Sequence, residues 1–567
     1  MIQQGQTVLW MVVIAYMTIM LLAGSYYARY MRTADAYFKA GNLVPWWAAG
    51  ISMYMANFTA YTFVGIASLV YVDGLVGILL ESGPALAFLV AAVVFSKRWH
   101  RLNLTSPPEY LEARFNPFTR RLFSMLGIAL TFLGSGIRLY AMCKFVESVT
   151  GLPLTATILV AGAVIVIYTM LGGLWAVIVT DVLQFVVLFL AVIPLFVISV
   201  AHVFLDASYA DFIARIPLGF GSFPHPEHGR TLGWLLAWWL TYLLDYNGDW
   251  GVIQRMCCTP TEADARKAAL LSMALSIPHA VLLLGPCFIA RVLWAGEIAD
   301  PAVMSQAETV YGRIAVKLLP AGLVGVVAAA MFSATMSTLS VSWSVRSTSF
   351  VNDLYVRFMR PQAGDREQIL AGRLAVLAMG AVATVVAVVI ALTSAGLFAL
   401  GQALVGFMVI PLVLPLLLGL LLRRTHNWAG LAGLSVCLGF TALSRWGYRL
   451  LGLSAPLTFG QEIVGSTILA LLVMLGSGLL TRDPVDAGRV RDFFGRMASP
   501  RRVEPSDRGI PPPVTIIGSF VSLIGLLVLA LCAMPQASLD RIVTLLAAAA
   551  LVGIGTAMRR RRTKAHN

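Results

Sequence analysis

The sequence predicts an all-α protein that crosses a membrane many times, and three observations carry that reading. Of its 567 residues, 59% are hydrophobic and only 12% are charged, where soluble domains carry about a quarter charged residues. The apolar residues fall into runs of the length that crosses a hydrocarbon core, roughly 17 to 25 residues each. The basic residues gather between those runs. A net charge of +14 would suit nucleic acid in a soluble protein. Here it marks orientation, and no nucleic-acid partner is expected.

In chain order the first eight runs lie near 8–29, 44–72, 74–96, 121–149, 153–171, 174–203, 231–251 and 266–295. Seven more lie near 321–355, 369–395, 398–422, 426–447, 461–481, 513–534 and 538–558. The runs at 44–72, 231–251 and 321–355 contain polar interruptions. The start MIQQGQT lacks the basic region of a signal peptide, so the first run is expected to remain as a span. With the N-terminus outside, the inner connections become RYMRTADAYFK, SKRWHRLNL through FTRR, QRMCCTPTEADARK, VRFMRPQAGDREQILAGR, LRRTHN, 482–512 and the tail RRRRTK. Nearly every basic cluster then lies on one side, as the positive-inside rule requires. The expected location is a bacterial inner membrane, with the C-terminus cytoplasmic.

The same pattern divides the chain. Residues 1–43 form an extra span and inner loop, and 44–425 form a core with halves 44–203 and 231–425. Flanking spans occupy 426–481, a cytoplasmic linker 482–512, and two appended spans with a basic tail 513–567. Spans two to six and seven to eleven make two halves of five. An odd number per half sends the second half into the membrane from the opposite side, which is what an inverted repeat requires.

Enzyme chemistry finds no foothold. Phosphate-binding loops, a nucleophile elbow and paired cysteine ligands are missing from the sequence, and the six cysteines are scattered through mostly apolar runs. The pair in HPEH at 225–228 has metal-ligand character but reads as part of an outside loop. No cofactor is expected.

Ionisable residues inside spans are costly and mark function by default. Glu81, Arg138, Asp181, Asp245 and Asp249 are the candidates, whereas Lys144 and Arg346 lie near span ends, where they can snorkel. Arg138 needs a partner, and Glu81, Asp245 and a solute carboxylate all qualify. His279 follows a proline and can bond a carbonyl which that proline frees. Two runs are broken. YMANFTAY at 54–61 places Asn57 and Thr59 in apolar surroundings, and DYNGDWG at 245–251 packs two acids, an asparagine and two glycines together. Unwound backbone at membrane depth is tolerated where it lines a cavity, and breaks at matching places in two halves point to a transport site.

The stretch SATMSTLSVSWS at 333–344 holds seven hydroxyls inside a membrane-length run. Helical spacing puts Ala334, Ser337 and Thr338 on one face. Two readings stand: a small-residue packing seam, or a sodium site built from hydroxyls and freed carbonyls.

LVPWWAAGISMYMANFTAYTFVG, TSPPEYLEARFN, YTMLGGLWAVIVTDVLQ, VIQR with PTEADARKA, and AAAMFSATMSTLSVSWS with NDLY occur in this order over roughly residues 5–480. Together they resemble the motifs of the sodium:solute symporter family, which includes sodium-coupled sugar, proline and pantothenate carriers. The resemblance implies a LeuT-type fold of five plus five inverted helices, with one extra N-terminal span and about four C-terminal ones. It implies alternating access, with sodium as co-substrate and a small-molecule solute as cargo. Carried over by motif, the sodium ligands are Met55, Phe58 and Ala334 (carbonyls) with Ser337 and Thr338 (hydroxyls). A second ion site or exit path falls on Thr59 and Asp181. Solute-binding positions fall on Asn57, Thr62, Glu81, Arg138, Tyr242, Asp245, Asp249 and Gln402. Tyr242 and Asp245 stand where sugar carriers have an asparagine and a gating tyrosine, and Ser276 stands in place of a lysine, which weakens the sugar reading. Proton coupling through Asp181 or Asp245, or a non-transporting sensor on the same fold, are the alternatives.

Overall fold

A computed structural model describes residues 11–20, 22, 42–102, 104, 107–205, 208–224, 229–300, 304–393, 397–451, 454–480, 484–499, 513–531 and 538–560. The HPEH pair and the RYMRTADAYFK loop lie outside the described residues. Regular structure among the described residues is helical. Seven helices are long and apolar enough to cross a membrane, and an eighth if a bent pair counts as one span.

That bent pair is α2 (Trp46–Asn57) and α3 (Thr62–Asp73), preceded by the short apolar helix α1 (Met11–Met20), and its two arms meet at 58°. Helix α2 stops because Phe58 turns extended, at φ −88° and ψ 124°. The chain then runs through α4 (Leu75–Leu102), where Glu81 sits on a turn just before Gly83–Pro84. Proline lacks the N–H that would continue the helical ladder. A short helix α5 (Pro107–Arg114) precedes α6 (Pro117–Thr150), whose start is fixed by Asn116 accepting the Thr119 N–H at 2.8 Å.

Helix α7 (Leu154–Leu205) holds 52 residues in one helical run. At 1.5 Å per residue a straight helix of that length would be about 78 Å long, more than twice a bilayer core. The chain bends back on itself instead. The Tyr168 and Thr180 hydroxyls, twelve residues apart, hydrogen-bond to each other, although a straight helix would hold them roughly 18 Å apart. Apolar stretches Leu154–Met170 and Val177–Leu205 flank the bend, matching the two expected runs on either side of Gly172–Gly173.

The second break separates α8 (Leu232–Gly248) from α9 (Trp250–Cys257). Asp249 between them is extended, at φ −66° and ψ 131°, and its carboxylate caps the Val252 N–H at 3.1 Å. There follow α10 (Glu262–Leu293), α11 (Ala321–Ser349), α12 (Asp365–Ala391), and α13 (Leu397–Leu404) leading by a π-turn into α14 (Ile410–Leu421). Helix α11 is buried along its whole membrane-length stretch. Its hydroxyl-rich sequence therefore faces protein and not lipid. Helices α15 (Ala429–Arg445) and α16 (Phe459–Gly476) pack beside α14.

Within the 482–512 segment lies α17 (Pro484–Ala498). Phe493 of α17 stacks on Tyr110 of α5, and Arg489 donates to the Phe115 carbonyl. Arg101 at the end of α4 donates to the Met497 carbonyl at 3.2 Å. A pair of apolar helices, α18 (Pro513–Leu531) and α19 (Ser538–Arg560), packs together at the end of the described chain.

Candidate functional site

The break between α2 and α3 lies against the middle of α11. Thr338 Oγ1 is 2.7 Å from the Phe58 carbonyl oxygen, 3.1 Å from that of Ala334 and 3.4 Å from that of Met55. A hydroxyl has one proton and cannot serve three acceptors. Four oxygens thus converge, and neutral oxygens of this kind can hold a hard cation. Ser337 Oγ adds a fifth, 3.5 Å from the Met55 carbonyl. Its proton goes elsewhere, to Asp181 Oδ1 at 2.6 Å, which leaves its lone pairs available. Thr335, on the same stretch, accepts the Ala60 N–H at 3.2 Å and pins the break in place. All five residues expected to hold sodium converge here, and all are buried.

Asp181 is fully buried and belongs to a wider network. Ser52 of α2 donates to its Oδ2, and Arg255 of α9 approaches the same oxygen at 3.3 Å while donating to Ser52 Oγ at 2.9 Å. Sequence reasoning misses Ser52 and Arg255. Arg255 falls in the VIQR motif, so the sequence marks its position although not its partner. Thr59 is elsewhere: its hydroxyl accepts the Tyr61 N–H at 3.1 Å, and no hydrogen bond joins it to Asp181 among the described residues.

A cavity opens beside the oxygen cluster and shares Thr338 with it. Asn57, Arg138, Asp245 and Asp249 line it, and so does Arg346. Arg346 does not snorkel as its place near a span end suggests. Its Nε donates to Thr131 Oγ1 at 3.0 Å and its guanidinium faces the cavity. The two arginines and two aspartates act on one another electrostatically. Among the described residues, however, no ion pair ties any of them to another. Most of the lining, such as Gly127–Thr131 of α6 and Val341–Arg346 of α11, belongs to the halves of those helices nearest the basic connections, and Arg138 lies just past the middle of α6. Contacts also join the opposite ends of these elements. Arg230 pairs with Asp73 at 2.9 Å and stacks over Trp234, and the Tyr61 hydroxyl donates to the Phe398 carbonyl at 3.3 Å.

A model of the sodium:solute symporter family matches residues 37–437. The chain belongs to that family. It is 24% identical over 455 residues to the sodium/sialic acid symporter SiaT of Proteus mirabilis, covering 77% of this chain and 90% of that one. It is 27% identical over 420 residues to a sodium/glucose cotransporter of Vibrio parahaemolyticus, covering 69% and 76% respectively. In fold it resembles the substrate-bound outward-open state of a Na+-coupled sialic acid symporter, with a TM-score of 0.71 at 20% identity over 84% of this chain and 98% of that one. Members of this family are transporters, not enzymes.

The remaining expected solute residues of this symporter do not join the first cavity. Glu81 and Tyr242 lie on the far side of α2, where the Tyr242 hydroxyl donates to Glu81 Oε2 at 3.1 Å. His279 Nε2 is 3.6 Å from Glu81 Oε1, and the other ring nitrogen bonds the Tyr54 hydroxyl. Glu81, His279 and Tyr246 line a second, much smaller cavity. The partners of His279 are thus side chains, and not the proline-freed carbonyl that the sequence suggests. Arg138 shares a cavity with Asp245 and Asp249, and not with Glu81. Thr62 is buried at the start of α3, where its N–H donates to the Thr59 carbonyl at 3.1 Å. Gln402 is half-buried on α13 and lines neither cavity.

Proposed function

We propose that this chain is a sodium-coupled secondary symporter that carries a small polar organic solute by alternating access. The observation that supports this best is the Thr338 hydroxyl facing three carbonyl oxygens across a broken helix, at the rim of a charged cavity. Met55, Phe58, Ala334, Ser337 and Thr338 would hold the sodium ion. Two of these ligands come from the break after α2 and three from α11. Sodium affinity then depends on how closely those elements approach, so binding favours one conformation over the other. Asp181, bonded to Ser337, offers a leaving ion its next ligand, and Thr59 is left with a capping role.

Residues 44–203 and 231–425 are assigned as two inverted halves of five helices, each opening with a broken helix. Helix α1 and the helices after residue 425 flank them. With the basic connections in the cytoplasm, a cavity lined mostly from their side corresponds to an inward-facing conformation. Asn57, Arg138, Asp245, Asp249 and Arg346 are assigned to the solute. Because Arg138 forms no ion pair with Asp245, it is free to take a carboxylate, which favours acidic solutes over neutral sugars.

Uptake into proteoliposomes from a panel of sugars, amino acids and carboxylates tests the assignment. The expected substrate carries a carboxylate, and its uptake falls sharply in Arg138→Ala. Equal uptake by that variant would remove Arg138 from the solute site.

A further inference from the structure

Two groups of helix ends meet on the side of the basic connections. In the first, the ends of α4 and α9 and the start of α10 are tied together. His100 bonds the Thr259 carbonyl at 3.0 Å, and the Cys257 thiol donates to that of Trp99 at 3.4 Å. In the second, α5 grips the end of α14. The Tyr110 hydroxyl donates to the Leu416 carbonyl, and Arg114 donates to the carbonyls of Gly419 at 3.0 Å and Leu422 at 2.5 Å. Helix α17 bridges the two groups. Phe493 stacks on Tyr110, Arg489 donates to the Phe115 carbonyl, and the Phe494 ring carries the guanidinium groups of Arg114 and Arg423, each 5.4 Å from its centre. At its other end, Arg101 of α4 donates to the carbonyls of Met497 and Ala498. The same arginine pairs with Glu262, the first residue of α10, at 2.6 Å.

The two ends of this bridge differ. Phe493 and Phe494 are 1% and 8% exposed, so withdrawing them would return two aromatic rings to water. The Arg101 end lets go more readily. Ala498 is exposed, so water can replace the arginine at its carbonyl, and Arg101 keeps Glu262 when it leaves. While attached, its positive charge sits at the negative end of the fifteen-residue α17. Both groups extend to the solute cavity, α9 through Trp250 and Gly251 and α14 through Leu412 and Val413. A change in the width of that cavity therefore moves one group against the other.

We propose that α17 is a built-in latch on the inner side of the carrier, anchored on α5 and α14 by Phe493 and Phe494 and fastened by Arg101 to its C-terminal carbonyls. The fastened latch fits one spacing of the two groups and favours the inward-facing conformation, whereas the outward-facing one requires Arg101 to release it. A contact made in only one of two conformations shifts the balance between them by its own free energy. Helix α17 lies outside residues 37–437, which match the family model, so the latch is an addition to the matched core.

The latch rests on the inward-facing reading, and one assay separates the two. Ser342, which lines the cavity, is replaced in the full-length chain by Ser342→Cys. Its labelling by a membrane-impermeant maleimide is followed from each face of the membrane, above the background of the chain without that substitution. The reporter should be labelled from the cytoplasmic face, and adding Arg101→Ala should slow this several-fold. Glu262→Gln, which leaves Arg101 on the carbonyls, should not slow it. Unchanged or faster labelling in Arg101→Ala overturns the latch, and so does equal slowing in Glu262→Gln, which would assign the effect to the ion pair. Should Arg101→Ala not fold, Phe493→Ala with Phe494→Ala decides in the same way: slower labelling supports the latch and unchanged labelling overturns it. Labelling of the reporter from the outer face alone would remove the inward-facing reading itself, whatever the latch variants do.

Discussion

Thr338 Oγ1 lies 2.7 Å from the carbonyl oxygen of Phe58, a residue 280 positions away in the chain. That contact joins the extended residue at the end of α2 to the centre of the most buried helix. It turns two unremarkable features, a helix break and a threonine, into one oxygen-rich point. If Thr338 is a sodium ligand as proposed, Thr338→Ala removes one ligand oxygen and keeps the three carbonyls. The sodium concentration for half-maximal uptake should rise at least about tenfold, equivalent to roughly 1.4 kcal/mol. Thr338→Ser, which keeps the oxygen, should stay within a few-fold of wild type. A sodium titration of uptake makes the comparison.

Asp181 and Arg255 are both fully buried, 3.3 Å apart. Taking one charge from such a pair strands the other, at a cost of about 3–5 kcal/mol, whereas replacing both together costs much less. Asp181→Ala and Arg255→Ala should each lower the thermal unfolding midpoint of the purified protein. Asp181→Asn with Arg255→Gln should unfold nearer to wild type than either single alanine variant. Strictly additive losses would mean that the two charges do not depend on each other.

Arg138 and Asp245 face one cavity without an ion pair between them. If Arg138 holds the solute carboxylate, Arg138→Lys should retain partial transport, since it keeps the charge but not the planar fork. Arg138→Ala should lower kcat/KM by about a hundredfold, or roughly 3 kcal/mol. Asp245→Asn should change solute preference more than sodium affinity, because no hydrogen bond joins Asp245 to the oxygen cluster at Thr338 among the described residues. Uptake kinetics with the best solute from the panel read all three.

Gly74 links α3 to α4 at φ +66°, a conformation that L side chains rarely adopt. A Cβ there would also collide with the Phe220 carbonyl oxygen, which accepts the Leu75 N–H at 3.0 Å. Gly74→Ala should therefore destabilise the folded protein by more than about 1 kcal/mol. Thermal unfolding in detergent checks this, with Gly296→Ala, where a Cβ meets nothing within 4 Å, as the control.

Much of this arrangement is legible in the sequence because its signals are local. Polar and glycine residues inside apolar runs locate both breaks, at Phe58 and Asp249. Helical spacing puts Ala334, Ser337 and Thr338 on one face without knowledge of any partner. What escapes are side chains whose role depends on distant partners. Ser52 meets Asp181 across 129 positions, and nothing near either residue announces the other. Arg346 sits near a helix end, where an arginine ordinarily reaches for the surface, but buried surroundings turn it inward. His279 is hidden by a proline that offers a simpler partner. Helix α17 escapes because its charges and flanking prolines outweigh the Phe493–Phe494 face that docks it. Glu81 and Arg138 group together as solute residues in the sequence, whereas α2 stands between their cavities.

A sodium gradient, acting through the oxygen cluster at Thr338, is what drives solute accumulation in this mechanism. Uptake into proteoliposomes under an inward sodium gradient, with matched potassium and proton gradients as controls, tests that step. Solute should accumulate above its external concentration with sodium alone, and the accumulation should collapse when the gradient is dissipated. It should also be lost in the Ser337→Ala, Thr338→Ala double variant. Accumulation that follows the proton gradient and ignores sodium would overturn the mechanism.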